Sequence, residues 1–87
     1  MSKPTLYVKQ GCPWCVDALA YFNAKGIDLE VIDVRAEPKR MNELMEVSGQ
    51  SMTPTFKHGN FVVADFDLEE FETALEKNLE ARNNLKA

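Results

Sequence analysis

Short runs rich in β-branched and aromatic residues predict four strands in this chain. The predicted strands are residues 5–8, 29–34, 55–57 and 61–63. His58-Gly59-Asn60 lies between the last two runs and predicts the turn of a hairpin. The strands are therefore two separate runs followed by a closely spaced pair.

Between and after these strands, apolar residues recur at helical spacing. The first helix is predicted to begin at Pro13 and stop at Gly26, and the second to begin at Glu37-Pro38 and stop at Gly49. The apolar positions are Val16, Leu19, Ala20 and Phe22 in the first helix, and Met41, Leu44, Met45 and Val47 in the second. We expect these positions to face a core.

The third helix has a clear start. Asp67 with Glu70 predicts a capping box, and Phe66 with Phe71 predicts a hydrophobic staple. The expected buried stripe is Leu68, Phe71, Leu75 and Leu79. Residues 82–87 are polar and are expected to fray.

The resulting order is β-α-β-α-β-β-α. A helix that joins two strands of one sheet usually returns the chain in the same direction, so the first two strands should be parallel. The last two should be antiparallel. The sequence therefore predicts an α/β fold, a four-stranded mixed sheet flanked by helices.

Size and charge exclude several classes of protein. A chain of 87 residues forms one domain, with a core expected at about residues 5–80. The net charge of −4 and the absence of a basic run argue against nucleic acid as a partner. No apolar stretch reaches the roughly 20 residues that a membrane span needs. The first residues lack the apolar core of a signal peptide, so we expect a cytoplasmic protein. We also expect a monomer.

Cys12 and Cys15 are the two cysteines of the chain. A disulfide between them would close a very short loop and would stabilise the fold little, and a reducing cytosol would not preserve it. We therefore expect the pair to have a chemical role. They lie where a strand meets a helix, and backbone N–H groups at a helix start stabilise a thiolate. Cys12 at the exposed end is the expected nucleophile, and Cys15 one turn further in is the expected resolving thiol. Lys9 adds a positive charge nearby.

Other interpretations of the cysteine pair remain open. A structural zinc site needs four ligands, and His58 is the one further soft ligand in the sequence. Two buried thiols without reactivity are a second alternative, since cysteine is often buried. Pro13 and the helix start argue against that alternative.

Several of these residues together resemble the glutaredoxin family of the thioredoxin-fold superfamily. The resemblance spans about residues 5–79. It rests on Lys9, on Cys12-Pro13-Trp14-Cys15, on Ser48-Gly49 before Met52-Thr53-Pro54, and on Phe66-Asp67. It implies a thioredoxin fold and a thiol–disulfide oxidoreductase without a tightly bound cofactor. Glutathione is the implied co-substrate, and the implied partners are disulfide-containing or glutathionylated proteins.

The resemblance also implies roles for single residues near the thiols. Pro54 matches the family's cis-proline, and Thr53 before it should present backbone groups to a substrate peptide. Lys9 matches a lysine that contacts the glycine carboxylate of glutathione, and Gln50 occupies a position that assists it. Trp14 is either a glutathione contact or an apolar contact for protein partners.

Phe66 and Asp67 match the family's glutathione-binding turn, where a helix N-terminus receives the γ-glutamyl carboxylate. Asp67 would take the γ-glutamyl amine, or act as a helix cap alone. Two departures stand nearby, because the family's Gly-Gly is here Ala64-Asp65 and its Thr-Val-Pro is here Met52-Thr53-Pro54. The altered turn leaves a second hypothesis, an electron donor recharged by thioredoxin reductase. An iron–sulfur cluster carrier is a third hypothesis, and Pro13 argues against it because proline makes the loop rigid and removes a donor.

Overall fold

A computed structural model of the protein describes residues 3–59 and 61–78. The described elements follow the predicted order, β-α-β-α-β-β-α. The strands are Thr5–Val8 (β1), Glu30–Asp33 (β2), Thr55–His58 (β3) and Phe61–Ala64 (β4). The helices are Pro13–Ala24 (α1), Arg40–Ser48 (α2) and Leu68–Glu76 (α3).

The sheet has four strands in the order β2-β1-β3-β4. β1 runs parallel to β2, and it runs antiparallel to β3. β3 and β4 form the predicted antiparallel hairpin. The mixed sheet expected from the sequence is confirmed, and it is the arrangement of a thioredoxin fold.

Successive residues of β1 point to opposite faces of the sheet, so the protein has two apolar clusters. Leu6 belongs to the larger cluster, which contains both Phe22 of α1 and Phe71 of α3. Tyr7 belongs to the smaller cluster with Leu44 of α2. Phe71 lies at the centre of the larger cluster, with ring contacts to Tyr21, Phe22, Phe56, Phe61 and Phe66.

A polar network fastens α2 to the sheet. The Tyr7 hydroxyl donates to Glu43 Oε2 at 2.5 Å, and Arg40 Nε donates to Glu43 Oε1 at 3.0 Å. Hydrogen bonds from Arg40 and Tyr7 lower the pKa of Glu43, while burial raises the pKa of Tyr7. Because α2 is held in this way, the loop that follows it leaves from a fixed point.

The third helix begins as predicted. Asp67 Oδ1 accepts from the N–H of Glu70, and Glu70 Oε1 accepts from the N–H of Asp67, which completes the capping box. The rings of Phe66 and Phe71 are 5.2 Å apart, as the staple requires. Leu68 and Leu75 are half-buried, and Leu75 packs against the cluster that contains Phe71. Leu79 and residues 82–87 lie outside the described residues.

The buried faces of the first two helices differ from the prediction. Val16 is 64% exposed, and Ala20 is also exposed. The buried residues of α1 are Cys15, Ala18 and Phe22, whose spacing places a different face of the helix against the sheet. Met45 of α2 is 49% exposed, so the expectation that it lies in the core is wrong.

Several element boundaries also shift. β2 is shorter than predicted, and α2 begins at Arg40 because residues 37–39 form turns instead. His58 belongs to β3, so the hairpin loop starts at Gly59, which has φ 62°. Asn60 lies outside the described residues. Within the described part of the chain, no helix is long and apolar enough to cross a membrane.

Candidate active site

A tight turn delivers the first cysteine to the start of α1. The N–H of Cys12 donates to the carbonyl oxygen of Lys9 at 3.2 Å, which closes a β-turn after β1. Gly11 occupies the third position of this turn with φ 84°, a value that glycine adopts without steric cost. The chain therefore changes direction at Gly11 and enters the helix at Pro13.

Cys12 is the N-cap residue of α1. Its Sγ accepts a hydrogen bond from the N–H of Cys15 at 3.2 Å, and Pro13 occupies the first helical position. Cys12 is half-buried, whereas Trp14 beside it is 60% exposed. The sulfur thus takes the place of a capping oxygen, where a donor and the helix dipole favour negative charge.

Cys15 lies one turn deeper, with only 2% of its surface exposed. Burial, followed by the hydrogen bond with Cys12, raises the pKa of the Cys15 thiol. Both sulfurs are thiols in this structure. The inner thiol is therefore kept in its neutral form beneath a sulfur that solvent can reach.

The loop before β3 brings Thr53 to the outer sulfur. The Thr53 hydroxyl is 3.8 Å from Cys12 Sγ, and its carbonyl oxygen is 3.9 Å from the same atom. The Thr53–Pro54 peptide bond is cis, as the resemblance implied. Thr53, whose polar side chain departs from the family's Thr-Val-Pro pattern, is thus in direct contact with the thiol of Cys12.

Gln50 and Lys9 form hydrogen bonds within the protein. Gln50 Nε2 donates to Ser48 Oγ and Thr55 Oγ1, while Gln50 Oε1 accepts from the N–H of Met52. Lys9 Nζ donates to the carbonyl oxygen of Ser51 at 3.0 Å. Both side chains hold the loop before Pro54, and their contact with glutathione stays a prediction.

The start of α3 forms the other side of the site. Phe66 is buried in the core, and its N–H faces the carbonyl oxygen of Pro54 at 3.4 Å. Asp65, which replaces a glycine of the family pattern, has φ 50°. A cavity of about 300 Å³ lies here, lined by Trp14, Asp65, Phe66, Asp67 and Glu70. Its three carboxylates make this side acidic.

The structure adds one cation that the sequence analysis missed. Arg35 follows β2, and its Nη1 donates to the carbonyl oxygen of Gln10 at 3.3 Å, within the turn that precedes Cys12. Val8 pairs with Asp33 at the carboxyl ends of the parallel strands. The carboxyl ends of parallel strands lie at the same edge of a sheet. Because Arg35 follows β2 and Cys12 follows β1, the sequence could have predicted that Arg35 lies near the site.

The described residues contain no group of three or more His, Cys, Asp or Glu side chains that could hold a metal ion. The roles of Cys12 as nucleophile and of Cys15 as resolving thiol stay predictions.

Comparison with known proteins decides the family. The glutaredoxin family model matches residues 5–63, which include both cysteines and Pro54. The chain belongs to the glutaredoxin family. No curated protein matches the chain significantly. Family membership supports thiol–disulfide oxidoreductase chemistry, and it confirms the resemblance seen in the sequence.

Solved structures of glutaredoxins have the same fold. Glutaredoxin from Brucella melitensis is 30% identical, with a TM-score of 0.68 over 99% of this chain and 90% of that one. Glutaredoxin grx-1 from Archaeoglobus fulgidus is 22% identical, with a TM-score of 0.73 over 86% and 87%. The glutaredoxin-like NrdH-redoxin from Escherichia coli, whose activity profile is described as thioredoxin-like, is 22% identical, with a TM-score of 0.63 over 72% and 82%.

Proposed function

We propose that this glutaredoxin-family protein is a dithiol oxidoreductase that reduces protein disulfides or glutathione mixed disulfides through Cys12. The observation that carries the proposal is the arrangement of the two sulfurs. Cys12 Sγ is half-buried at the helix start and accepts from the N–H of Cys15, whose own thiol is buried one turn below.

The reaction takes place in two exchanges. The Cys12 thiolate attacks one sulfur of the substrate disulfide, a mixed disulfide forms, and the first substrate thiolate leaves and takes a proton. The Cys15 thiol then loses its proton and attacks Cys12 Sγ, so the second substrate thiol is released. Two electrons have moved to the substrate, and a Cys12–Cys15 disulfide remains. Two molecules of glutathione can return it to the dithiol.

The groups around the sulfurs support recognition of a peptide or of glutathione. Thr53 is in contact with Cys12, and its backbone would pair with an extended substrate. Lys9 donates to the loop before Thr53, and Arg35 donates to the turn that precedes Cys12. Both cations would favour a substrate carboxylate. Asp67 lies at the start of α3, where it would favour an amine.

Single substitutions of the cysteines test this assignment. Cys12→Ser should abolish reduction of insulin disulfides and of a glutathione mixed disulfide. Cys15→Ser should retain the first exchange and accumulate a stable mixed disulfide with a protein substrate, visible by mass spectrometry. If Cys15→Ser were inactive in the first exchange while Cys12→Ser kept it, the two roles would be reversed.

A second candidate differs in the electron source. Glu70 Oε1 already accepts from the N–H of Asp67 at 3.0 Å, and Asp65 and Asp67 add negative charge around it. These carboxylates would repel the γ-glutamyl carboxylate of glutathione at the start of α3. Weak binding of glutathione would favour a thioredoxin reductase as the electron source. The test measures NADPH consumption during reduction of the oxidised protein, once with glutathione plus glutathione reductase and once with thioredoxin reductase. The system that sustains turnover identifies the reductant.

We further propose that the protein is cytoplasmic and monomeric. Glutathione and thioredoxin keep thiols reduced in the cytosol, as a reductase of this kind requires. Cell fractionation tests the location, and size-exclusion chromatography with light scattering tests the mass. Recovery from an oxidising compartment would contradict the first part.

A further inference from the structure

The loop between α2 and β3 carries Thr53 to the reactive sulfur, although residues 49–54 form no helix or strand. Lys9 and Thr55 hold this loop from outside it, and Gln50 holds it from a position within the loop. Gln50 Nε2 donates to Ser48 Oγ at 2.8 Å and to Thr55 Oγ1 at 3.2 Å. Gln50 Oε1 accepts from the N–H of Met52 at 2.5 Å.

We propose that Gln50 is a positioning residue that sets the place of the Thr53 hydroxyl beside Cys12 Sγ, and through it the reduction potential of the Cys12–Cys15 pair. This inference rests on the proposed thiol–disulfide function. It differs from the role that the family resemblance implied, because it assigns the amide of Gln50 to the protein's own loop.

Both backbone groups of Met52 are held by side chains. Gln50 takes the N–H of Met52, and Thr55 Oγ1 donates to its carbonyl oxygen at 2.9 Å. Thr55 is fully buried in β3, so it is a fixed point. Since Met52 directly precedes Thr53, fixing its two peptide groups fixes where Thr53 begins.

We call the hydrogen bonds of Gln50 to Ser48, Met52 and Thr55 the Gln50 clamp. Its other end is anchored in α2. Ser48 Oγ, which accepts from Gln50, itself donates to the carbonyl oxygen of Leu44 at 2.7 Å. Leu44 is fully buried against the sheet. Gln50 therefore joins a fixed helix end to a fixed strand start across the loop that carries Thr53.

The position of Thr53 matters because its hydroxyl donates towards sulfur. A donor 3.8 Å from Cys12 Sγ stabilises the thiolate more than the disulfide, since hydrogen bonds to charged groups are the stronger ones. A stabilised reduced form makes a dithiol pair more oxidising. Loosening the loop should weaken this contact and make the pair a stronger reductant.

The test uses Gln50→Leu, Thr53→Val and the double variant, each equilibrated with dithiothreitol. We expect Gln50→Leu to lower the equilibrium constant for reducing the Cys12–Cys15 disulfide about fivefold, equivalent to about 20 mV. Thr53→Val should give a similar shift. The double variant should shift no further than Thr53→Val, because Gln50 acts through Thr53.

Gln10→Leu is the matched control, since Gln10 is the other glutamine of the chain, and it is exposed in the turn before Cys12. It should leave the equilibrium constant unchanged. Gln50→Ala, which removes the amide without adding apolar bulk, must reproduce the shift and replaces Gln50→Leu if that variant does not fold.

The outcomes separate the two proposals. If the wild type and Gln10→Leu do not interconvert dithiol and disulfide at all, the proposed function fails. If they do, and Gln50→Ala and Gln50→Leu match the wild type, the clamp is refuted alone. A double-variant shift equal to the sum of the single shifts would also refute it, because Gln50 would then act independently of Thr53.

Discussion

Glu70→Ala removes the carboxylate that occupies the N–H of Asp67 at the start of α3. A carboxylate of glutathione that binds there, as in the family, must first displace Glu70. Displacing one exposed hydrogen bond costs about 0.5–1.5 kcal/mol, which corresponds to about a 2- to 12-fold change in affinity. We therefore expect Glu70→Ala to lower the KM for glutathione by that factor.

The stability of the protein should tolerate this change. Loss of half of the capping box costs roughly 0.5–1 kcal/mol, against the 5 kcal/mol or more that is usual for a domain. Asp67 Oδ1 still accepts from the N–H of residue 70 in the variant, because that donor belongs to the backbone. Circular dichroism during urea unfolding would verify that the fold is retained.

The assay is turnover of a glutathione mixed disulfide with glutathione as the varied substrate and glutathione reductase in excess. Glu76→Ala is the matched control, because it removes the same charge from the exposed far end of the same helix. Only Glu70→Ala should lower the KM. Equal effects of both variants would mean that net charge alone matters, and an unchanged KM would refute the competition.

Three further predictions concern stability under reducing conditions. Phe71→Ala should lower the free energy of unfolding by about 3–5 kcal/mol, since the ring is fully buried among five others. Urea titration measures this, and a loss below about 1 kcal/mol contradicts the packing. Gly11→Ala should cost about 1–2 kcal/mol in the same titration because φ is 84° there, whereas Gln10→Ala beside it should have little effect. Because the pKa of Cys15 is raised in the folded state, the unfolded chain loses that proton first as pH rises. The resulting stability is complete below the ordinary cysteine value of about 8.5 and is lost above it. Urea unfolding at neutral and alkaline pH should therefore show a smaller alkaline loss for Cys15→Ala than for the wild type, and equal losses would disprove it.

Local patterns predicted the order of elements because each signal is contained within a few residues. The Asp67–Glu70 capping box forms between positions three apart, and both of its hydrogen bonds are present. The cysteine pair needed only a strand, Gly11 and Pro13 to be placed at a helix start. These parts of the prediction are confirmed because no distant residue takes part in them.

Patterns of apolar residues did not identify the buried helix faces. α1 carries apolar side chains on more than one side, so periodicity alone left its orientation open. Packing against the sheet buries Cys15 and Phe22 and leaves Val16 exposed to solvent. The same applies to Met45 of α2, whose exposure depends on how the helix lies on Tyr7 and Ile32 of the sheet.

Family, fold class and the position of the cysteine pair at a helix start were thus accessible from the chain alone, because short-range spacing defines them. The environment of that pair was decided in three dimensions. Thr53 meets Cys12 across 41 positions of sequence, and Arg35 meets Gln10 across 25. Contacts at such separations depend on strand order and helix orientation, which arise only when the whole chain packs.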